Sequence, residues 1–552
     1  MSQTRPMDMR NAPANWIFWI LLALLASVAV AGGPVLTSDG PAHVSMAHFI
    51  IHSGDKAWPM LNRLYEINLT PSPNALGDLA MAGLMLIVPP LTAEQIVQIL
   101  CLVSVPLAAR LTLRRLAPDA GWIALFFFPV ALERMFYLGL YNFCLSLTGC
   151  ILCIWAYLRL RDRKSFANAF LLAILLLVTL ACQASGWMEA ALAVGTMVLT
   201  ESSLRWRAGE PFRTLIKLPL AVLASLVPGL ILFVLFVLLQ PGDHHIAYVI
   251  PPLNRLVEVF RGDLFAPIGQ STAYASLALG MTLIALALTG GIRLWLAPSV
   301  SGDGNRPPRL AVCLLPLSFL AFALIIPDEA GGGWTHSWRA EVFPYIGLAF
   351  ACAVLPAYRL IRTTSIAVAA SGAVVMIGMA LWVQVWEVPP AMREFNEADA
   401  LIGPHCTVAP VLTQFKLDPP NTARLFYHPL FHAANRFELK WDRPVLFSYV
   451  ARLPIYPARF RPGADPQRLL YGWTESQRDT RVYKIDIAGY EAVSGIPVDY
   501  VLLWDFPDPD QPGPYHDIRL AVTDLRYRLI YRSSGRRMEL YQRPGPGGCA
   551  KP

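Results

Sequence analysis

The sequence predicts a multi-span α-helical membrane protein of about eleven transmembrane helices. Its N-terminus is expected in the cytoplasm and its C-terminus outside, with an external α/β domain closing the chain. Three observations carry this reading. Of 552 residues only 15% are charged and the mean hydropathy is +0.46, whereas soluble domains carry about 25% charged residues. The charge is also uneven: residues 1–383 hold 24 Lys+Arg and 19 Asp+Glu, about 11%, while residues 384–552 hold 21 and 19, about 24%. Finally, the charge-poor part divides into apolar stretches of the length a bilayer requires, about 20 residues at 1.5 Å rise across about 30 Å of hydrocarbon.

In chain order those stretches are 14–36, 94–113, 120–138, 140–158, 166–182, 186–202, 215–239, 272–296, 310–327, 342–358 and 364–385. The apolar run 76–90 has only 15 residues and ends in Pro89-Pro90, so it reads as a re-entrant or interfacial segment. With the N-terminus inside, the cytoplasmic tails and loops carry 18 Lys and Arg. The external loops carry six: Lys56, Arg63, Arg134, Arg255, Arg261 and Arg339. This threefold bias is the positive-inside pattern, and it would break if 76–90 were a span, because Arg110, Arg114 and Arg115 would then lie outside. Ala29-Val-Ala31 would serve as a cleavage site, yet the first apolar segment is longer than a signal-peptide core, so its retention is expected. The chain therefore divides into a transmembrane domain, 1–385, with a long first external loop 37–93, and an external domain, 386–552.

The net charge of +7 is modest and forms no basic stripe interleaved with aromatics, which argues against nucleic acid as a partner. Seven of nine cysteines lie in or near spans and read as small apolar packing residues. Cys406 and Cys549 are the two in the external domain, where an oxidising compartment would permit a disulfide. Cysteine spacing supports no metal motif.

The chemistry is expected in the external loops. The first opens with Thr37-Ser-Asp-Gly-Pro-Ala-His43. Asp-Gly-Pro starts a short helix 41–53, read as interfacial, with Ala42, Met46, Phe49 and Ile50 toward lipid and His43 toward the loop. The plain reading of Asp39 is a helix cap. His43, His48 and His52 also suggest a metal cluster, but no third acidic ligand accompanies the His48/His52 pair. The second external turn carries Glu133 and Arg134 at a span end, where charges are costly unless paired, wet or functional; a local anchoring ion pair is the alternative. The fourth loop, 240–271, holds Asp243, His244, His245, Arg255, Glu258, Arg261 and Asp263. The fifth, 328–341, places His336 and Arg339 after three glycines, where a guanidinium fork suits a phosphate and a snorkelling arginine is the alternative.

This arrangement resembles the GT-C superfamily of integral membrane glycosyltransferases, which includes protein mannosyltransferases and aminoarabinose transferases. The likeness rests on an N-in first span, a long first external loop with Ser38-Asp39-Gly-Pro-Ala-His43 directly after it, interfacial segments, a second external loop entered by Pro129 with Glu133-Arg134, and an external C-terminal domain. Pro71-Ser-Pro-Asn-Ala-Leu-Gly-Asp78 occupies the place of the family's Pro-rich segment but departs from its usual form, and Asp39 stands without the second acid several families carry. The resemblance implies transfer of a sugar from a polyprenyl-phosphate donor to an acceptor hydroxyl with inversion. It assigns Asp39 as general base, His43 as its orienting neighbour or a donor contact, and Glu133 as an acceptor contact. Arg134, Arg339 and His336 become the phosphate clamp, with Arg255 and Arg261 behind them. It implies no metal or other cofactor; the partners are membrane lipid, the lipid-linked sugar and a glycan, lipid or protein acceptor.

In the external domain, strands are expected at 407–412 and 498–504, and a hairpin from 527–531 and 538–541; helical stretches are expected near 390–402 and 420–438. Its Tyr427, His428, His432, Trp441 and Trp473 suit either a sugar chain or core packing. Two other classes compete. A lipid-saccharide transporter needs polar mid-membrane residues that these spans lack; a non-catalytic assembly subunit would show no convergence of Asp39, Glu133 and Arg339. A bacterial inner membrane is the expected home, although the Asn68-Leu-Thr70 sequon leaves a eukaryotic lumen open.

Overall fold

The computed structural model describes residues 12–239, 246–296, 309–330, 333, 335–413, 427–473, 482, 484–506, 514–535 and 537–545. Cys549 and Asp243-His-His245 lie outside the described residues. Among the described residues six helical stretches are long and apolar enough to cross a membrane: Pro90–Leu116, Pro118–Leu138, Tyr141–Asp162, Phe212–Leu239, Gly269–Leu296 and Arg359–Asp399. Shorter apolar helices occupy Pro13–Ser27, Leu76–Met85, Phe166–Cys182 and Arg309–Ile325. Ala184–Arg207 and Val342–Val354 are also helical, so helix covers all or part of each apolar stretch read from the sequence.

Several elements differ from expectation for identifiable reasons. The first helix ends at Ser27 rather than near 36, because Gly32 and Gly33 adopt positive φ and Pro34 follows. From Pro34 to Ser38 the non-helical chain is buried, and side chains from neighbouring helices satisfy backbone groups there. Gln98 accepts from the Val35 N–H at 2.7 Å and donates to its carbonyl at 2.9 Å, while Gln384 donates to the carbonyls of Gly33 and Pro34. The stretch 120–138 is a 3₁₀ segment, Pro118–Phe126, followed by two short helices, Phe127–Ala131 and Arg134–Leu138. Proline at 118 and 129 interrupts regular helix. This irregular backbone is tolerated because it lies almost wholly inside the protein. The last long helix continues through a π-turn, Val383–Glu387, into Val388–Asp399, so the boundary expected at residue 385 falls inside continuous helix.

Gly40–His52 is not an interfacial helix. Ala42, Met46 and Phe49 are all buried, enclosed by Leu76–Met85 on one side and by C-terminal residues around Ala433–Leu439 on the other. The C-terminal part is knitted into the loop 37–93. Strand β1, Tyr65–Ile67, pairs antiparallel with β3, Ala458–Phe460, in the register Tyr65 to Phe460. Asp442 accepts from the Met60 and Leu61 amides at 2.8 Å each. Buried Glu438 accepts from Ser45, from Tyr65 and from the Val445 amide. Asn68, of the sequon, donates to Pro454 and Tyr456 carbonyls. One continuous hydrophobic core runs from the first helix to the last strand.

The C-terminal sheet contains the expected strands. Its order is β2-β4-β6-β5, with β2 (Val408–Leu412) parallel to β4 (Tyr500–Trp504), and β6 (Met538–Gln542) antiparallel to both β4 and β5 (Arg528–Arg532). Phe395 of Val388–Asp399 stacks 4.9 Å from Trp504, which joins the long helix to the sheet. Of the stretch expected to be helical near 420–438, the described part contains only the 3₁₀ segment Ala433–Leu439. Cys406 is disulfide-bonded, whereas the seven cysteines of the membrane part are free.

The segment 37–40 is pressed onto the turn 137–141. Ser38 and Asp39 donate their amides to the carbonyls of Tyr137 and Leu138 at 3.0 and 2.9 Å. Gly139 makes this approach possible: its φ is +84°, and a Cβ there would stand 2.5 Å from the Gly40 nitrogen. Gly139→Ala therefore combines left-handed strain with a backbone clash and is expected to cost at least roughly 1–3 kcal/mol. A fall in the thermal unfolding midpoint of the purified chain in detergent checks this, and an unchanged midpoint refutes the close-approach account.

Candidate functional site

Asp39 precedes Gly40–His52, yet its carboxylate makes no capping bond. Instead Oδ1 lies 3.2 Å from Nδ1 of fully buried His432. The imidazole tautomer follows from its surroundings. The Tyr449 N–H donates to Nε2 at 3.1 Å, which leaves the ring proton on Nδ1, donated to the Ser38 carbonyl at 3.0 Å with the Asp39 carboxylate alongside. The other oxygen of Asp39 has no protein partner among the described residues, and its side chain is 17% exposed.

His43, one turn along the same helix, places Nδ1 2.7 Å from Asp78 Oδ1, with both side chains buried. Asn142 steadies this pair by accepting from the Gly77 amide and donating to Asp78. Beside it, Thr37, Tyr141, Gln98 and Glu94 form a buried chain of hydrogen bonds that Arg436 closes at 3.4 Å from Glu94.

Arg339 is buried and its Nε has no partner. Its charge lies within electrostatic reach of Tyr456, Asp39, Glu133 and Tyr449. His336 lies next to it: Nε2–H donates to the Ala330 carbonyl at 3.1 Å, leaving the Nδ1 lone pair for Arg339 Nη1 at 3.5 Å. Burial and the arginine charge push His336 down to about 4, so it is a neutral support of Arg339 and supplies no cation of its own. Thr335, a β-branched residue at φ 60°, holds this turn in a strained conformation of the kind that clusters at functional sites.

The remaining arginines of the expected clamp separate from this cluster. Glu133 and Arg134 do not form the local ion pair. Glu133 caps Arg134–Leu138, accepting from the Met135 and Phe136 amides. Arg134 stacks 4.0 Å over Trp338 and interacts with Glu258, Glu341 and Asp263. Arg255 is a structural strut: it donates to the carbonyls of Ile250, Ala323 and Ile326 and pairs with Asp328 at 2.8 Å. Arg261 is 68% exposed beside Asp263. The structure thus brings together Asp39, His43, Arg339 and His336, with Glu133 at the edge, and sets Arg134, Arg255 and Arg261 apart. Among the described residues no group of three or more His, Cys, Asp or Glu is placed to hold a metal; His48 packs against His52 and Trp58, and burial pushes it down to about 3. Sequence reasoning missed Asp78 and the contact of His432 with Asp39, a pairing across 393 positions that no local pattern signals.

No family model matches the chain, and no curated protein sequence matches it significantly. Among solved structures it is similar to arabinofuranosyltransferase AftD from Mycobacteria, determined by single-particle cryo-EM, at 14% identity and a TM-score of 0.49. That alignment covers 97% of this chain and 40% of the other.

Two stability experiments separate structural from functional charge. Arg255→Gln leaves buried Asp328 uncompensated and is expected to cost about 3–5 kcal/mol, whereas Arg339→Gln removes a desolvated charge with an unpartnered Nε and is expected to stay within about 1 kcal/mol of wild type or to gain stability. Equal losses in thermal unfolding would contradict the distinction. Glu341 is buried with both oxygens unpartnered, and burial, reinforced by Glu258, pushes its carboxyl up to about 9 from the ordinary 4.5. A raised acid contributes full stability below its unfolded value and loses it as pH rises toward the folded one. Glu341→Gln is therefore expected to be near neutral at pH 5 and increasingly stabilising up to pH 9, as measured by unfolding midpoints across that range.

Proposed function

We propose that the chain is an inverting membrane glycosyltransferase of GT-C type, moving a sugar from a polyprenyl-phosphate donor to an acceptor hydroxyl on a glycan, lipid or protein. The observation that carries this reading is a carboxylate, Asp39, that makes no cap and keeps one oxygen free of protein partners. Buried His432 lies 3.2 Å from the other oxygen, and a buried arginine with an unused donor lies within electrostatic reach. An acid that only terminated a helix would bond the exposed amides; one that only anchored a salt bridge would meet Arg339 directly.

In the displacement, the acceptor O–H gives its proton to the free oxygen of Asp39 as its oxygen attacks the anomeric carbon. The bond from that carbon to the phosphate oxygen breaks with its electron pair, and the phosphate leaves as an anion facing Arg339. His432, anchored through the Ser38 carbonyl, packs beside Asp39. General-base help of this kind is worth about 10²–10⁴-fold in rate. Preorganised charge in a water-poor site further stabilises the departing phosphate. With eleven spans and the N-terminus inside, this site lies on the external face, which in a bacterial inner membrane is the periplasm, and the C-terminal part belongs to the same compartment.

The test is sugar transfer by purified protein from a panel of polyprenyl-phosphate pentoses and hexoses. Asp39→Asn is expected to lower transfer by about 10²–10⁴-fold with unfolding unchanged, since the lost oxygen bonds no backbone amide. His432→Gln is expected to lose less, and Arg339→Gln to raise the donor KM. Full activity of Asp39→Asn at equal expression would remove Asp39 from the chemistry.

A further inference from the structure

The pair His43–Asp78 is not explained by packing. Two groups capable of charge are both buried, joined at 2.7 Å, and drawn from separate elements, Gly40–His52 and Leu76–Met85. Asp78 accepts at His43 Nδ1 and is itself held by Asn142. On the far side of the ring, Nε2 is buried and has no partner among the described residues. A structural histidine in an apolar interior normally has both nitrogens satisfied, so a bare Nε2 opposite a carboxylate-bound Nδ1 leaves room for a ligand group.

From this juxtaposition we infer that His43, held as an imidazolium by Asp78, is a second arm of an anion site and donates Nε2–H to a phosphate diester oxygen, with Asp78 as the positioning residue that keeps the ring charged and aimed. The inference deepens the proposed function, since it rests on the Asp39–Arg339 cluster being the donor-phosphate site. The charge balance around the ring favours it. The groups facing His43 are Asp78, Asp39 at the helix start, Glu94 from Pro90–Leu116, and the rings of Tyr141 and Tyr456, the latter edge-on at 5.3 Å. Arg436 offsets Glu94 and Arg339 lies near Tyr456. Burial alone would pull the imidazole down, yet the field and hydrogen bond of Asp78, with Asp39 and Glu94 behind it, leave it raised above 6.5. A raised histidine keeps its charge below its folded value and loses it as pH climbs through that value. Anion binding should therefore weaken with rising pH.

The experiment measures binding of farnesyl methyl phosphate, a diester whose single charge is constant across the range, against farnesol, by tryptophan fluorescence of the full chain in detergent from pH 6 to 9. Wild type is expected to prefer the diester at least tenfold at pH 6, with the preference declining toward pH 9. His43→Gln should remove most of the preference and its pH slope. Asp78→Asn should keep the ring but move the midpoint of the slope down by a unit or more, while Asp78→Glu should restore it. Arg339→Gln should lower affinity at every pH and leave the slope. Unfolding midpoints verify that each variant is folded; if Asp78→Asn is not, His43→Gln and Asp78→Glu decide. A wild-type preference that is flat with pH, or one unchanged in His43→Gln, overturns the inference. Failure of sugar transfer with the binding pattern intact would refute the transferase and leave the anion site; loss of transfer in Asp39→Asn with binding indifferent to His43 and Asp78 would do the reverse.

Discussion

His432 is held between the Tyr449 amide, which donates to its Nε2, and the Ser38 carbonyl, which accepts from its Nδ1, with the Asp39 carboxylate 3.2 Å away. Those two contacts fix the ring plane beside the carboxylate. The arrangement needs residues 427–449 packed against residues 37–43. The hydrogen bonds that Glu438, Asp442 and Asn68 make across the same boundary give that packing a polar framework.

Buried polar groups of this density are favourable only when every partner is present. Glu94 needs Gln98 from its own helix, Tyr141 from the helix Tyr141–Asp162 and Arg436 from the C-terminal part. Glu438 needs Tyr65 and Ser45 from the first loop. The site thus rests on contacts between positions nearly four hundred residues apart, which close long loops at a cost in chain entropy. Among the described residues, Nε2 of His43 and Nε of Arg339 are left without protein partners.

How much of this was legible in the sequence varied with the range of the interaction. Phe166–Cys182 matched its apolar run because a capping serine and a run of leucines define both ends locally. The hairpin of β5 and β6 followed from two β-rich runs around a glycine. Asp39 was singled out by its place directly after the first span in the resemblance, and Arg339 by the fit of a guanidinium fork to a phosphate. Hydrophobicity alone hid the rest. It could not place the end of the first helix, where backbone geometry at Gly32-Gly33-Pro34 overrode an apolar run. It also could not distinguish a face toward lipid from a face toward protein, so Gly40–His52 read as interfacial when it is enclosed. Arg255 and Arg339 look alike as letters, and only the carbonyls around the first separate a strut from a cation with a donor to offer. His432 and Asp78 carried no signal, since their partners are selected by tertiary proximity.

The π-turn at Val383–Glu387 ties Asp39 to distant parts of the molecule in a further way. Such a turn holds one residue more than an α-turn, so it sets the angular phase of the helix around it, and each residue of an α-helix corresponds to about 100° of rotation. Gln384 sits inside that turn and clips the carbonyls of Gly33 and Pro34, a few residues before Asp39. Were the extra residue to migrate along the helix, Gln384 would swing away and the clip would open. The same helix continues to Phe395, which packs against Trp504 of β4, so one element joins the C-terminal sheet to the loop that carries the carboxylate, and the phase set by the π-turn decides whether the two hydrogen bonds of Gln384 can be made.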